Sequence, residues 1–215
     1  MKKTLITQLI AGLCVSGALS IAQADHHKFS ESQLKAAEAL VGNSWTQATE
    51  EERKRLVQDE TMKLCSLYRD KPPADIAQQI IAMNKAITKY PEGGIKLGDW
   101  KEGEKLSNSG YGMRIGNINP DKNKNRPNGG NCYACHAMGS NQPAAGNLGP
   151  SLANYGTRGT SEAILKYTYE KIYNAQAFSA CSNMPRFGVH GVLTDQQIAD
   201  IMAFMLDPNS PVNKK

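Results

Sequence analysis

The stretch GGNCYACHAMG, residues 129–139, constrains this chain more than any other part of its sequence. It contains Cys132 and Cys135, which are separated by two residues, and His136 directly after them. Two thiols about one helical turn apart can add to the two vinyl groups of a haem while the adjacent imidazole binds the iron. The motif therefore predicts one covalent haem c, with Cys132 and Cys135 as attachments and His136 as an axial ligand.

Two other chemistries use cysteines at this spacing. A thioredoxin-like dithiol is typical of a parallel-sheet fold, and the chain shows no strand-like alternation of any length. A structural zinc ion needs a further Cys or His pair at regular spacing, whereas Cys65, Cys181 and His190 stand alone in the sequence. Haem c is the interpretation that also explains the histidine after the second cysteine.

The first residues carry signals for export. Two lysines precede an uncharged apolar run that ends in AQA, a small-x-small cleavage pattern. We expect a signal peptide at 1–24 and a mature protein in the periplasm. Lipid attachment at Cys14 is less favoured, because Leu13 stands where a lipoprotein signal has a small residue. No later stretch has the roughly 20 apolar residues that a membrane span requires.

The charge of the chain does not suggest a nucleic-acid partner. The full chain carries +5 with its histidines neutral, and loss of the two lysines of the signal peptide leaves 5 − 2 = +3. Two haem propionates nearly cancel such a mild charge, which is much weaker than the basic patches of nucleic-acid-binding proteins.

Helix signals occur along the whole chain and predict an all-α protein. We expect residues 25–94 to form a helical extension and residues 95–215 to form a second unit that carries the haem motif. A Ser, Thr or Asp followed three residues later by Glu or Gln marks a helix start. Such pairs are Ser30 with Gln33, Thr49 with Glu52, Asp99 with Glu102, and Thr194 with Gln197.

Spacing of apolar residues predicts further elements. One helical stripe in the extension comprises Ile76, Ile80, Met83 and Ile87. A helix is also expected over about 161–174. Residues 107–130 are dense in Asn, Gly and Lys without any period, which predicts a long loop before the haem motif.

The sixth iron ligand decides whether such a protein transfers electrons or binds small molecules. Met184 lies in a predicted loop and is followed by Pro185, which favours an extended backbone. A thioether ligand gives a His/Met iron with a raised reduction potential, which is suited to electron transfer. We expect Met184 to be this ligand.

Other candidates for the sixth ligand are less favoured. Met138 is too near the axial histidine in sequence to reach the opposite haem face, and Met202 and Met205 fit the apolar stripe of the last helix. Met113, in the irregular loop, and His190, which would give a bis-histidine iron, remain alternatives at this point.

Three more residues are candidates for contacts around the haem. The carbonyl of Pro150, in GNLGPSL, can accept a hydrogen bond from the ring of His136 and set its tautomer, although a simple turn explains this proline equally well. Arg158 and Arg186 can pair with haem propionates, but for either one alone a solvated arginine is the commoner case.

Cys65 and Cys181 also need partners in an oxidising compartment. A disulfide between them is the economical assignment, and it would connect the extension to the loop that carries Met184. The alternative, that either cysteine is a redox-active or metal-binding thiol, stays open at this point.

The order of the haem motif, the GPSL turn and the Met184 loop over residues 97–207 resembles a class I cytochrome c. In that fold the first and last helices cross, with a glycine against an aromatic residue, and Gly103 and Phe204 fit those places. The long loop at 107–130 departs from the short link of many small cytochromes.

Read together, GDWKEGEKL, GGNCYACH, GNLGPSL and NMPRFG resemble the SoxX family, the monohaem subunits of periplasmic SoxAX thiosulfate-oxidising cytochromes. The resemblance implies Cys132 and Cys135 as thioether attachments and His136 and Met184 as axial ligands. It further implies a SoxA-like haem partner, transient contact with the SoxYZ carrier, and a soluble cytochrome c as electron acceptor. The complex resembles an L-cysteine S-thiosulfotransferase, and nothing in this chain looks like a nucleophile of its own.

Two other functions compete with this expectation. A free-standing periplasmic electron shuttle needs the same haem site but no enzymatic partner, and an extension of about 70 residues argues mildly against it. A gas-binding or peroxidatic haem protein needs an open sixth position, which a Met184 ligand would close.

Overall fold

The computed structural model describes residues 28–116, 125–139 and 144–214, and this part of the chain is all-α, as predicted. The α-helices are α1 (Glu31–Ser44), α2 (Glu50–Lys54), α3 (Glu60–Leu67), α4 (Ala74–Ile87), α5 (Trp100–Asn108), α6 (Glu162–Tyr173) and α7 (Asp195–Leu206). Short 3-10 turns cover Cys132–Ala134, Tyr155–Arg158, Ala175–Ala177 and Pro211–Asn213. The predicted signal peptide and Cys14 lie outside the described residues, as do residues 117–124 of the predicted loop.

The predicted helix starts agree with the structure. Complete capping boxes open α1, α2 and α7, where the cap side chain and the Glu or Gln of the third helical residue satisfy each other's backbone donors. At α5 the predicted box does not form, although Asp99 still caps the helix. Asp99 accepts from the backbone N–H of Lys101, while Glu102 pairs with Lys105 at 2.6 Å.

The apolar stripe predicted for α4 is only partly buried. Ile80 is completely buried, but Ile87 at the end of the stripe is 47% exposed. Asn84, which lies one turn after Ile80, is completely buried where the stripe predicted Ile87. A polar residue therefore occupies the core-facing side of α4, and its partners lie across the molecule.

Helices α5 and α7 cross in direct backbone contact. A Cβ atom added to Gly103 would lie 2.0 Å from the backbone oxygen of Asp200, so only glycine fits at this crossing. The carboxylate of Asp200 also accepts a hydrogen bond from the backbone N–H of Asp99, at 2.9 Å. Phe204, the predicted aromatic of the pair, is 2% exposed in the core beside α5 and α6.

The main core is formed by one face of α6 and most of α7, together with the loop that joins them. Its largest buried members include Tyr169, Ile198, Ile201, Met202 and Leu206. The extension attaches to this core mainly where α4 packs against the turn Ala175–Ala177. Burial of these apolar side chains fixes α6 and α7 as a rigid frame for the loops on either side.

The segment that enters the haem motif is anchored to the end of α5. Gly130 donates its backbone N–H to Leu106 at 2.9 Å, and Asn131 donates to Ser109 at 3.0 Å. Gly129 lies so close to Ser109 that an added Cβ would be 1.8 Å from its backbone oxygen. The two ends of the predicted 107–130 loop therefore meet, and α5 continues two residues past its predicted end, to Asn108.

Among the helices of residues 28–116, 125–139 and 144–214, none combines the length and apolar character needed to cross a bilayer.

Candidate haem site

The haem motif forms a single tight turn. The backbone N–H groups of Cys135 and His136 both donate to the carbonyl of Cys132, at 3.1 and 2.9 Å. Among the described cysteines, Cys132 and Cys135 are the free thiols, and both are partly exposed. The turn thus places both thiols and the imidazole together at one side of the structure.

The imidazole of His136 is oriented by the GPSL turn. Its Nδ1 lies 2.7 Å from the carbonyl oxygen of Pro150. A carbonyl can only accept, so Nδ1 carries the proton and Nε2 keeps its lone pair for a metal. The predicted contact of Pro150 is therefore present, and it leaves the imidazole in the tautomer that an axial ligand requires.

Gly149 forms the wall against which this ring packs. A Cβ atom built on Gly149 would lie 2.2 Å from Cε1 of His136. Any larger residue would therefore have to push the imidazole aside. This contact was not predicted, although a glycine immediately before Pro150 is a signal that could have indicated a close approach.

A cavity of about 630 Å³ opens beside the motif. Its lining includes Cys132, Cys135, His136, Pro150 and Met184. Apolar side chains complete the walls, among them Leu148, Leu152, Ile172, Phe187, Leu193 and Ile201. The volume falls in the range of cofactor pockets, and the donor set is that of a covalently held His/Met haem. The residues present therefore fit the haem c that the motif implies.

Met184 is the methionine that the structure brings to the haem motif from a loop. Its backbone N–H donates to the hydroxyl of Ser182 at 3.2 Å, so the loop is ordered by its own side chains. Met205 also lines the cavity, but it belongs to the buried face of α7 and is 6% exposed, as expected for a core residue.

The other candidates for the sixth ligand lie elsewhere. Met138 is 1% exposed in the main core, and Met202 is completely buried there. Met113 contacts a different part of the molecule, since its sulfur lies 3.5 Å from a guanidinium nitrogen of Arg55 in the extension. His190 lies near Arg186, and burial together with that guanidinium lowers the pKa of its imidazole. Among the described residues that line the cavity, none of these four is present.

The environment of Cys132 is unlike that of a redox-active thiol. Burial raises the pKa of the Cys132 thiol to about 11. Reactive cysteines have a lowered pKa, because the thiolate is the nucleophile. A thiolate is therefore disfavoured at Cys132, which does not match a reactive dithiol.

Two cationic side chains line the cavity. The guanidinium of Arg158 lies 4.8 Å from the ring centre of Tyr155, and the ammonium of Lys171 lies 5.4 Å from that of Phe178. Burial lowers the pKa of the Lys171 amine. Arg158 is thus in the region predicted for it, while Lys171 was not predicted because a single lysine on a helix has no distinguishing signal.

Arg186 is buried, so the expectation of a solvated arginine was wrong, and it is absent from the described residues that line the cavity. It is 3% exposed, and its guanidinium donates to Asp59 at 2.7 Å and to Asn84 at 3.3 Å. Both partners belong to the extension. Their distance from Arg186 in sequence, more than 100 residues, is the reason that no local pattern indicated them.

Cys65 and Cys181 form a disulfide, with their Cα atoms 5.4 Å apart. Both are buried, and they connect α3 to the loop that precedes Met184. The carboxylate of Asp70 lies within 4.8 Å of the two sulfurs, but sulfurs bonded to each other are not the thiolates that a metal site needs.

Fold and site together define the class of protein. Residues 122–207 match the family described as Cytochrome c. The match begins shortly before the haem motif and continues through α7. This part of the chain is a cytochrome c domain, the domain of electron-transfer haem proteins, and that family implies covalently bound haem c.

A relative extends this relationship to almost the whole chain. It is a protein of Aquifex aeolicus (strain VF5) described as an uncharacterized lipoprotein, with 38% identity over 213 residues. The alignment covers 96% of this chain and 98% of the relative. The chain therefore belongs to the same family as this protein, and the family includes the helical extension as well as the cytochrome c domain.

Proposed function

We propose that this chain is the electron-accepting monohaem subunit of a periplasmic SoxAX-type complex, which oxidatively couples thiosulfate to a cysteine of a SoxYZ-type carrier. The observation that carries the haem part of the proposal is that His136, with Nε2 available, and Met184 line one cavity beside Cys132 and Cys135. The thiosulfate part rests on the resemblance of the motifs to the SoxX family. The whole complex would act as an L-cysteine S-thiosulfotransferase.

In this proposal each side chain of the site has a separate role in holding a redox cofactor. When bound, haem c supplies reversible one-electron chemistry. Cys132 and Cys135 attach it, and the Pro150 carbonyl orients His136 and increases its basicity. Met184 would supply the second protein ligand and would compete with outside ligands. With one such site, the subunit passes the two electrons of each coupling reaction onward one at a time.

The reaction itself belongs to a partner. A SoxA-like haem subunit would hold the reacting cysteine, and a soluble cytochrome c would take the electrons away. The exposed apolar side chains of the extension support a permanent partner. Within the extension, α1 contributes no buried residue, and Leu40 and Val57 are 69% and 73% exposed. Exposed apolar side chains of this size are typical of interfaces when they cluster.

Purification of the native complex tests the proposal. We expect the protein to copurify with a second haem subunit, and thiosulfate to reduce its haem only when the carrier protein is also present. The ferric protein should show the long-wavelength absorption band of Met–Fe coordination, and replacement of Met184 by leucine should abolish it. A protein that exchanges electrons but retains no partner would instead be a free-standing shuttle. Lack of the band in the wild type would favour a gas-binding or peroxidatic protein.

Export is part of the same proposal. We infer cleavage after the signal peptide at 1–24, which would release a mature periplasmic protein that begins at Asp25. The Aquifex relative is described as a lipoprotein, and lipid attachment at Cys14 is the corresponding alternative for this chain. Mass spectrometry of the native N-terminus distinguishes the two. A free Asp25 supports signal-peptide cleavage, whereas a diacylated Cys14 contradicts it.

A further inference from the structure

The loop that carries Met184 is held by the extension on both sides of the methionine. Three residues before it, Cys181 is bonded to Cys65 of α3. Two residues after it, Arg186 donates to the carboxylate of Asp59 at 2.7 Å. A loop attached at one point can rotate about that point. Two attachments five residues apart restrict both the position and the direction of the loop.

Asn84 of α4 completes the second hold. Its carboxamide nitrogen donates to the hydroxyl of Thr61 at 3.0 Å and to the carbonyl of Ile80 at 2.8 Å. Its carboxamide oxygen accepts from Arg186 at 3.3 Å. Both polar atoms of this fully buried side chain are therefore satisfied, and one of the three bonds is made to the ligand loop.

The same asparagine also connects the extension to the frame of the cytochrome c domain. Its backbone carbonyl accepts from the side chain of Asn174, at the end of α6, at 2.9 Å. Arg186 is 3% exposed, so a displacement of the loop would leave a buried guanidinium without its partners. Such unpaired buried charges are strongly unfavourable, and the loop is therefore restricted to the observed position.

We propose that the extension is a positioning device for Met184, with Asp59 and Asn84 as positioning residues that act through Arg186. Among the described residues, neither Asp59 nor Asn84 lines the cavity, so neither touches the cofactor. Their role is to hold the loop in its observed position, so that Met184 would remain available to a bound haem in competition with outside ligands. This inference rests on the proposed function only in that Met184 is the sixth ligand.

Asp59→Asn in the full-length, haem-loaded protein tests this role. One oxygen of Asp59 caps α3 by accepting from the backbone N–H of Met62 at 2.9 Å, and the other accepts from Arg186. Asparagine caps helices about as well as aspartate, so the substitution keeps the cap and removes the anionic partner of Arg186. Asp99→Asn is the matched control, because Asp99 caps α5 with its side chain.

The readouts are the Met–Fe absorption band of the ferric protein and the affinity of added imidazole, which competes with Met184. We expect Asp59→Asn to weaken the band and to bind imidazole about tenfold more tightly, since a hydrogen bond to a charged group contributes at least that factor. Asp99→Asn should leave both unchanged. Unfolding of both variants in urea separates this effect from a general loss of stability.

Arg186→Lys provides a second test that does not depend on the cap of α3. Lysine keeps the charge but cannot donate to Asp59 and Asn84 through a planar fork, so the band and the imidazole affinity should change in the same direction. If the wild type shows the band and both variants match the Asp99→Asn control, the positioning role is overturned while the electron-transfer function stands. If the wild type lacks the band, Met184 is not the ligand and both proposals are wrong.

Discussion

Two contacts hold the imidazole of His136 in place, and both come from the GPSL turn. The Pro150 carbonyl sets the tautomer of the imidazole. The Gly149 backbone lies so close to the ring that a Cβ atom at this position does not fit. Outer contacts of this kind commonly change metal affinity by about 10- to 100-fold when they are lost. These two contacts therefore fix the orientation of His136, the predicted axial ligand.

Gly149→Ala should disturb the fifth ligand directly. The added methyl would lie 2.2 Å from Cε1 of His136, so the ring must rotate away from its bond to Pro150. We expect the ferric, haem-loaded protein to bind imidazole at least about tenfold more tightly than the wild type, because a loosened His136 would be displaced more readily by an added ligand. Titration followed by absorption spectroscopy measures this affinity.

The control for this substitution is Gly42→Ala in α1. A Cβ atom added to Gly42 meets no atom within 4 Å, so the same change should not alter the haem spectrum. Equal ligand affinities in the two variants would contradict the role assigned to Gly149.

At the scale of the helices, α5 and α7 cross with their backbones in direct contact. Gly103 allows the two backbones to touch at Asp200, which brings the end of α5 close to the haem motif. The hydrogen bond from Gly130 to Leu106 then fixes the start of the haem motif relative to α5, and with it the two cysteines. The crossing thus places the attachment site as well as packing the core.

Gly103→Ala should destabilise the fold strongly. Its methyl would lie 2.0 Å from a backbone oxygen that cannot move without displacing α7. We expect a loss of about 3 kcal/mol or more in the free energy of unfolding, at the upper end of the cost of overpacking a core. Urea unfolding followed by circular dichroism checks this value. A loss below about 1 kcal/mol would show that the crossing is more adaptable than the structure indicates.

Tyr90 connects the end of the extension to α6 through a hydrogen bond to Glu170 and a stacking contact with Tyr169. The bond to Glu170 raises the pKa of Tyr90 to about 12. In the unfolded chain the phenol ionises near pH 10. A raised pKa favours the protonated form on folding, so this contribution to stability is complete below about pH 10 and is lost as the pH rises to about 12.

Tyr90→Phe removes the phenol that titrates. We expect the variant to be less stable than the wild type at neutral pH, and the difference in the free energy of unfolding to shrink between about pH 10 and pH 12. Urea unfolding at a series of pH values measures it. A difference that stays constant through this interval would contradict the assignment.

At the scale of the whole molecule, the extension is attached to the cytochrome c domain at several points, although among its described residues none lines the cavity. A disulfide, a partly buried ion pair and the hydrogen bond between Asn174 and Asn84 connect it to the cytochrome c domain. The Aquifex relative matches the extension as well as the haem domain. A family in which both parts occur together is consistent with an extension that serves the ligand loop.

Removal of the disulfide should weaken the whole fold. Cys65 and Cys181 are 116 residues apart in sequence, and closing a loop of about 100 residues stabilises by about 4 to 5 kcal/mol in the chain-entropy model. We expect the double variant Cys65→Ala, Cys181→Ala to lose a free energy of unfolding of this order. Urea unfolding of both proteins with haem attached provides the measurement. The unchanged α-band of the reduced haem would control for intact thioether attachment, and equal stabilities would contradict the prediction.

Local patterns were sufficient to predict the haem motif and six of the seven described helices, while α3, which Asp59 caps, had no predicted start. Capping boxes act over four residues, and the attachment of haem c requires cysteines and a histidine at fixed short spacing, so both can be recognised without knowledge of the fold. The contact of His136 with Pro150 spans 14 residues and was predicted only as one of two equal alternatives. The sequence by itself therefore determined the fold class and the cofactor chemistry, while the contact of His136 with Pro150 was decided by the structure.

Only the tertiary structure decided how the loop that carries Met184 is held. Arg186 looks like any arginine beside a proline, and its partners Asp59 and Asn84 lie 127 and 102 residues away. Burial of a charged group is favourable only where such partners converge, and convergence is a property of packing between elements rather than of local spacing. For this physical reason the haem motif can be recognised from local sequence, whereas the contacts that hold the Met184 loop cannot.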